Sequence, residues 1–169
     1  HDITVKVIDT DTGDPISRPA TPADKFPAPF PNEYAAAASN GGKAPPDLSV
    51  MAKAREGGPR YIYSLLTGFR DPPPGLTPMA GKYYDPWFAG DVSGNWTGHK
   101  DKVPEGGFIG MPPPLTPNKV TFDDGTPSTV QQEAKDVAAF LAWAAEPKAE
   151  ERKAFGLGAM IYLLIFSGL

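Results

Sequence analysis

Gly110-Met111-Pro112-Pro113-Pro114-Leu115 sets a methionine at the head of three consecutive prolines. Each proline fixes its own φ and restricts the residue before it, so the thioether is carried on a stiff, extended backbone. Thioether sulfur is a soft ligand that suits haem iron or copper rather than hard cations. By themselves the six residues fit more simply a loop methionine filling a gap in a core. The rest of the chain decides between the two readings.

Around this stretch, residues 70–118 form a Pro/Gly-rich, aromatic-rich region without sustained periodicity. Loops of that length inside a compact domain are functional or disordered, and Tyr83, Tyr84, Trp87 and Phe88 favour order and packing. Downstream, Asp123-Asp124-Gly125-Thr126-Pro127 is a turn. It leads into a helix over about Ser128 to Ala145, with Val130, Ala134, Val137, Ala138, Leu141 and Ala145 at helical spacing. Pro147 breaks it. The run Ala154 to Leu169 carries no charge. As a helix it spans about 24 Å, short of the roughly 30 Å hydrocarbon core of a bilayer. The expectation is a membrane helix cut short by the end of the chain, the alternative being a buried C-terminal helix.

Upstream, a helix is expected over about Arg60 to Thr67, with Tyr61, Leu65 and Gly68 on one face and Ile62 and Leu66 beside them. Another runs from about Leu48 to Arg55, stopped by Gly57-Gly58-Pro59. A third starts at Asn32-Glu33 with an Asn cap and ends at Asn40-Gly41-Gly42. The chain opens with a β-like alternation of Ile3, Val5 and Val7 and a turn at Asp11 to Pro15. Pro-rich irregular backbone then runs from Arg18 to Pro31, anchored by Phe26 and Phe30.

Composition narrows the function. Twenty-one prolines and 18 glycines among 169 residues, with 40% hydrophobic residues, indicate a folded but loop-rich chain. A net charge of −4 supplies no basic footprint for nucleic acid and suits a basic protein partner. No cysteine is present, which excludes disulfides, thiolate chemistry and thioether-linked haem within these residues. With only His1 and His99, a multi-histidine metal site is excluded too. His1 follows no initiator methionine, so the chain is expected to start partway through a longer one.

The run Asn40-Gly-Gly-Lys-Ala-Pro-Pro-Asp-Leu-Ser-Val-Met-Ala-Lys-Ala-Arg-Glu-Gly-Gly58 resembles the cytochrome c1 family, the haem-bearing subunits of quinol–cytochrome c reductases. The resemblance continues through Tyr61-Ile-Tyr-Ser-Leu-Leu-Thr-Gly-Phe69, Ile109 to Leu115 and Asp124-Gly-Thr-Pro127. It runs on through Lys135-Asp-Val-Ala-Ala-Phe-Leu-Ala-Trp-Ala-Ala-Glu-Pro147 to Glu151-Arg-Lys153. It implies a mainly α fold: a class I cytochrome c-like domain with long Pro/Gly-rich loops, plus a truncated C-terminal transmembrane helix. Residues 1–147 would be the haem domain and residues 148–169 the membrane anchor.

Function is implied the same way. A haem c would take an electron from a Rieske iron–sulfur protein and pass it to a soluble or membrane-bound c-type cytochrome. The setting would be a dimeric complex with cytochrome b, the haem domain on the periplasmic or mitochondrial intermembrane side. Met111 matches the axial ligand and Arg55 the residue that holds a haem propionate, for which a forked guanidinium is suited. Asn40 and Tyr61 match polar residues near the haem. Pro45, Pro46, Met51, Leu65, Leu66 and Pro114 match its apolar wall, with Phe88 beside them.

Two features depart from the family pattern. Cys-x-x-Cys-His, which supplies the covalent attachment and the proximal histidine, has no counterpart here. Neither histidine replaces it: His1 lies in no related motif, and His99 suits an exposed loop beside Trp96. The Asp91 to Gly107 loop also falls outside the resemblance and is expected to be an insertion over the haem edge. An enzyme in its own right is disfavoured, because Asp123-Asp124 and Glu150-Glu151 lack a burial context and no triad spacing occurs. The alternative is a haem-free, Pro-rich binding or structural module of a membrane complex, with Pro72 to Pro74 and Pro112 to Pro114 as polyproline ligands.

Overall fold

The computed structural model describes residues 4–21, 24 and 28–168. His1, Ile3 and Phe26, named above, lie outside the described residues. The chain forms two units, one ending at Pro46 and one beginning at Asp47.

In the first unit, β1 (Thr4–Ile8) pairs antiparallel with β2 (Pro15–Pro19), Thr4 opposite Pro19 and Ile8 opposite Pro15. Val5 and Val7 are half-buried and their neighbours exposed, as the alternation requires. Asp9 organises the turn. Its Oδ1 accepts the Asp11 N–H at 2.8 Å, and Gly13 takes the left-handed φ of 77° that the reversal needs. The strand β2 corrects the expected start of irregular backbone at Arg18. A two-stranded sheet has only edge strands, so the missing N–H of Pro15 and Pro19 costs no interior ladder bond.

Beyond β2, Arg18 forks onto Asp24 at 2.7 and 2.8 Å. That fork, with the Thr21 N–H and hydroxyl as further donors, holds the Asp24 carboxyl well below the usual carboxylate range. α1 (Glu33–Ser39) is capped by Asn32, whose Oδ1 accepts the Ala35 N–H at 2.9 Å. It stops as expected, with Gly41 left-handed and the Gly42 N–H reaching back to the Ala37 carbonyl at 2.8 Å.

The second unit contains α2 (Met51–Ala54), α3 (Pro59–Gly68), β3 (Tyr83–Asp85), β4 (Gly107–Ile109), α4 (Val130–Ala145) and α5 (Ala149–Gly168). α2 is shorter than the expected Leu48 to Arg55. Asp47 Oδ1 takes the Ser49 N–H at 2.8 Å, and this side-chain turn competes with helical bonding before Met51. α3 opens on Pro59, whose fixed φ and missing N–H suit a first helical position. α4 is capped by Thr129, whose Oγ1 accepts the Gln132 N–H at 3.1 Å. Behind the cap, the buried Ser128 hydroxyl donates to Glu133 Oε1 at 2.5 Å.

Ile62 of α3 packs against Ala138 and Leu141 of α4, with Met51, Ala52, Tyr61 and Leu66 around them. Ala134 and Ala138 keep this face of α4 small enough for α3 to approach closely. Each large apolar side chain fully buried there stabilises the fold by about 1.5–3 kcal/mol.

A second cluster holds the loop region together. Leu76, Tyr84 and Val92 are buried, with Trp96, Val103 and Phe108 packed on them. β3 and β4 pair antiparallel, Tyr83 with Ile109, Tyr84 with Phe108 and Asp85 with Gly107. The Tyr84 hydroxyl donates to the Glu105 carbonyl at 2.6 Å. The region is therefore ordered and packed, as its aromatics suggested, although Tyr83 and Trp87 are themselves exposed. Within it, Asp91 to Gly107 contributes buried Val92 and half-buried Trp96 to the cluster.

α5 presents exposed Phe155, Leu157, Met160 and every large apolar residue from Ile161 to Phe166. Glu150, Glu151, Arg152 and Lys153 occupy its first turns. Among the described residues no helix is long and apolar enough to cross a membrane.

Candidate functional site

Met111 stands two residues beyond β4, so the β3–β4 pairing delivers it directly. Its side chain is half-buried and belongs to neither apolar cluster. The stretch after it is fixed from the other side. Lys119 Nζ donates to the Pro114 carbonyl at 3.0 Å, and the Asn118 N–H donates to the Ser128 carbonyl at 2.8 Å. Asn118 adopts φ 62°, a left-handed position that asparagine tolerates better than most residues. Pairing on one side, capping on the other and prolines between them leave the thioether on a defined loop.

A cavity of about 500 Å³ opens beside this loop, lined by Pro113 and Leu115, by Leu66 and Phe69 at the end of α3, and by Arg70 and Tyr83. Of the expected apolar wall only Leu66 lines it, while Pro113, which was not among the expected residues, does so beside the expected Pro114. Pro114 and Leu65 are half-buried nearby in sequence. Phe88 is also half-buried, its ring edge set against Gly107, where an added Cβ would stand 3.0 Å away.

Arg55 follows α2 and is exposed. Its guanidinium donates to the Ala54 carbonyl at 3.2 Å and makes no ion pair among the described residues. Met51, Tyr61 and Leu66 are engaged with the α3–α4 core, so helix packing already uses part of the expected wall. Asn40, Pro45 and Pro46 stand in the first unit, all exposed. Asn40 Nδ2 donates to the Ala36 carbonyl at 2.8 Å, closing α1.

His99 is exposed and its Nδ1 lies 2.9 Å from Asp101 Oδ1, the solvated loop histidine the sequence suggested. No group of three or more His, Asp or Glu side chains poised for a metal occurs among the described residues. Met111 brings a soft thioether and Arg55 a forked cation outside any ion pair among the described residues, and these fit in kind the iron and a propionate of a haem.

Sequence reasoning missed Asp85. It is fully buried, its Oδ1 accepting the Trp87 N–H at 2.7 Å while Oδ2 has no partner among the described residues. Burial, the largest influence, pushes its carboxyl above the usual carboxylate range against the opposing pull of the Trp87 and Phe88 N–H groups and Arg70. The available signal was one acidic residue inside the aromatic run Tyr83 to Phe88, just before Pro86.

The Cytochrome C1 family profile matches residues 1–169. The chain is 45% identical over 159 residues to "Cytochrome c1" of Rhodospirillum rubrum, covering 94% of this chain and 58% of that protein. It is 45% identical over 154 residues to "Cytochrome b-c1 complex catalytic subunit, mitochondrial" of Candida albicans, covering 90% of this chain and 48% of that protein. With "Cytochrome b/c1" of Bradyrhizobium diazoefficiens the identity is 42% over 187 residues, covering 99% of this chain and 25% of that protein. The chain thus spans 25% to 58% of the length of these relatives.

Proposed function

The chain belongs to the cytochrome c1 family, and on that premise we propose that it is a haem-bearing, electron-transferring part of a cytochrome b–c1 complex. The observation that carries the reading is Met111, a half-buried thioether set on a proline-stiffened loop and outside both apolar clusters. Bound there, a haem c would supply one-electron chemistry, at a potential that methionine ligation raises. Met111 would offer its sulfur to the iron. Arg55, free of any ion pair among the described residues, offers forked donors to a propionate. Leu65, Leu66, Phe88 and Pro114 would shield the ring from water, with Met51 and Tyr61 packed on the α3–α4 core behind them. These 169 residues hold no cysteine, so they would supply no thioether attachment to such a haem.

The partners follow the same reading: cytochrome b and a Rieske iron–sulfur protein as neighbours in a dimeric complex, and a c-type cytochrome as acceptor. The net charge of −4 suits a basic acceptor, whose docking would weaken as salt screens the attraction. We assign residues 1–147 to the haem domain, on the periplasmic or mitochondrial intermembrane side. Residues 148–169, with the exposed apolar surface of α5, are assigned to the anchor.

The test is the visible spectrum of the natively isolated holoprotein with and without Met111→Ala. Loss of the methionine–ferric charge-transfer band and a fall in midpoint potential are expected. An unchanged band in the variant would remove Met111 from the iron. A haem-free native protein would leave only the Pro-rich binding-module reading.

A further inference from the structure

Asp85 closes β3 with a carboxyl that water does not reach. Among the described residues only one of its oxygens is bonded, Oδ1 to the Trp87 N–H. Gly68, the last residue of α3, is fitted against the other side: a Cβ there would stand 2.9 Å from each carboxylate oxygen and 2.6 Å from Trp87 Cδ1. The carboxyl therefore meets the C-terminal end of a helix, where unpaired carbonyls concentrate partial negative charge. Neither burial nor that helix end favours an anion.

Charge compensation is thin. Arg70, just beyond α3, is the charged side chain that acts on Asp85 among the described residues, and it is exposed. Pro86, Trp87 and Phe88 in the following turn, and Gly106 and Gly107 on the opposing side, bring no titratable group. A proton on Oδ2 would cancel the charge and turn an orphaned acceptor into a donor facing the α3 end.

We propose that Asp85 is held as a neutral carboxylic acid and that its proton is linked to the seating of the Met111 loop. The route is short: Asp85 pairs with Gly107 at the start of β4, and beyond Ile109 the chain passes Gly110 to reach Met111. Ionisation would place a charge in the contact between α3 and the hairpin, loosening the strand that delivers the thioether. Asp85 is a positioning residue in this scheme. Only the last step, from loop to iron, rests on the haem reading above.

The experiment is an infrared pH titration of the full-length holoprotein, with Asp85→Asn as the subtraction. A protonated-carboxyl carbonyl band is expected to persist above pH about 4, where exposed carboxylates ionise. It should disappear at higher pH and be missing from Asp85→Asn. No such band in the wild type overturns the proposal.

Stability supplies a second readout. A carboxyl whose folded pKa lies above its unfolded value contributes fully below the unfolded pKa and loses that contribution as pH rises through the folded one. Asp85→Asn should therefore match the wild type below pH about 4 and become progressively more stable than it above. A variant that instead becomes less stable with rising pH would mean an ionised, Arg70-paired Asp85, and would overturn the proposal. If the variant does not fold, the wild-type titration decides alone. In the holoprotein the methionine–iron band should weaken as the carboxyl band is lost. An unchanged methionine band overturns the linkage, and a haem-free protein that retains the carboxyl band overturns the haem reading while supporting the neutral acid.

Discussion

Gly106→Ala tests whether the hairpin before Met111 is built as described. Gly106 has φ 100°, and a methyl group there would overlap the Asp85 carbonyl oxygen and the Pro86 Cα. Both are backbone atoms of a paired strand and its turn, so no side-chain rotation relieves the overlap. The left-handed φ costs an alanine about 1–2 kcal/mol. Forcing a methyl into packed backbone costs about 1–3 kcal/mol more, and together these come to about 3 kcal/mol. With a urea m-value of about 2 kcal/mol/M, the midpoint should fall by about 1.5 M.

The assay is urea unfolding followed by tryptophan fluorescence, to which Trp96 in the loop cluster contributes. Gly94→Ala is the matched control, since a Cβ at Gly94 meets nothing within 4 Å and the residue is not left-handed. It should shift stability by no more than about 0.5 kcal/mol. Equal midpoints for Gly106→Ala and wild type would refute the close approach of Gly106 to the Asp85–Pro86 backbone.

Two further outcomes bear on the helical part. Leu141→Ala removes a 7%-exposed side chain from the α3–α4 core and should cost about 2–5 kcal/mol by thermal or chemical unfolding. A cost near zero would mean that α3 and α4 are not held by this cluster. Glu146, after α4, accepts from the Arg152 guanidinium and lies 3.5 Å from Lys53 Nζ. The Arg152 bond, with Lys53 a smaller influence, holds its carboxyl below the usual range. The resulting stability is present above the unfolded pKa and is lost as pH falls through the folded one, a loss that Glu146→Gln should abolish. A wild-type-to-variant difference that stays constant across the acid range would contradict that pairing.

What was legible in the sequence was local. Asn32 before Glu33 and Gly41-Gly42 after Asn40 set helix ends through bonds within a few residues, and those ends stand where expected, whereas Pro59, read as part of a stop, opens α3. The spacing of Ala134, Ala138 and Leu141 marked the buried face of α4 for the same reason, although Val137, read as part of the same set, is exposed. α2 was overextended because the Asp47 side chain competes with the helix, an outcome that depends on fine geometry. β3 and β4 were invisible: three-residue strands show no period, and their pairing is settled by the packing of Tyr84 against Val92 and Leu76. Met111 and Arg55 stand out in the sequence because they sit in extended motifs, and their place at a haem is what we propose. Asp85 does not stand out, since an aspartate reads as a surface residue until tertiary packing closes over it.

The pairing of Asp85 with Gly107 also bears on how this molecule tolerates change. It pins the two ends of the connection from Pro86 to Gly106, with Val92 of that connection packed beneath Tyr84. Closure entropy grows only with the logarithm of length, about 0.6 kcal/mol for each doubling. Lengthening or trimming that connection is therefore cheap, provided the places of Val92, Trp96 and Val103 in the cluster stay filled. Such drift would leave the methionine loop where it is, so the architecture offers a place to acquire new surface next to its most constrained segment.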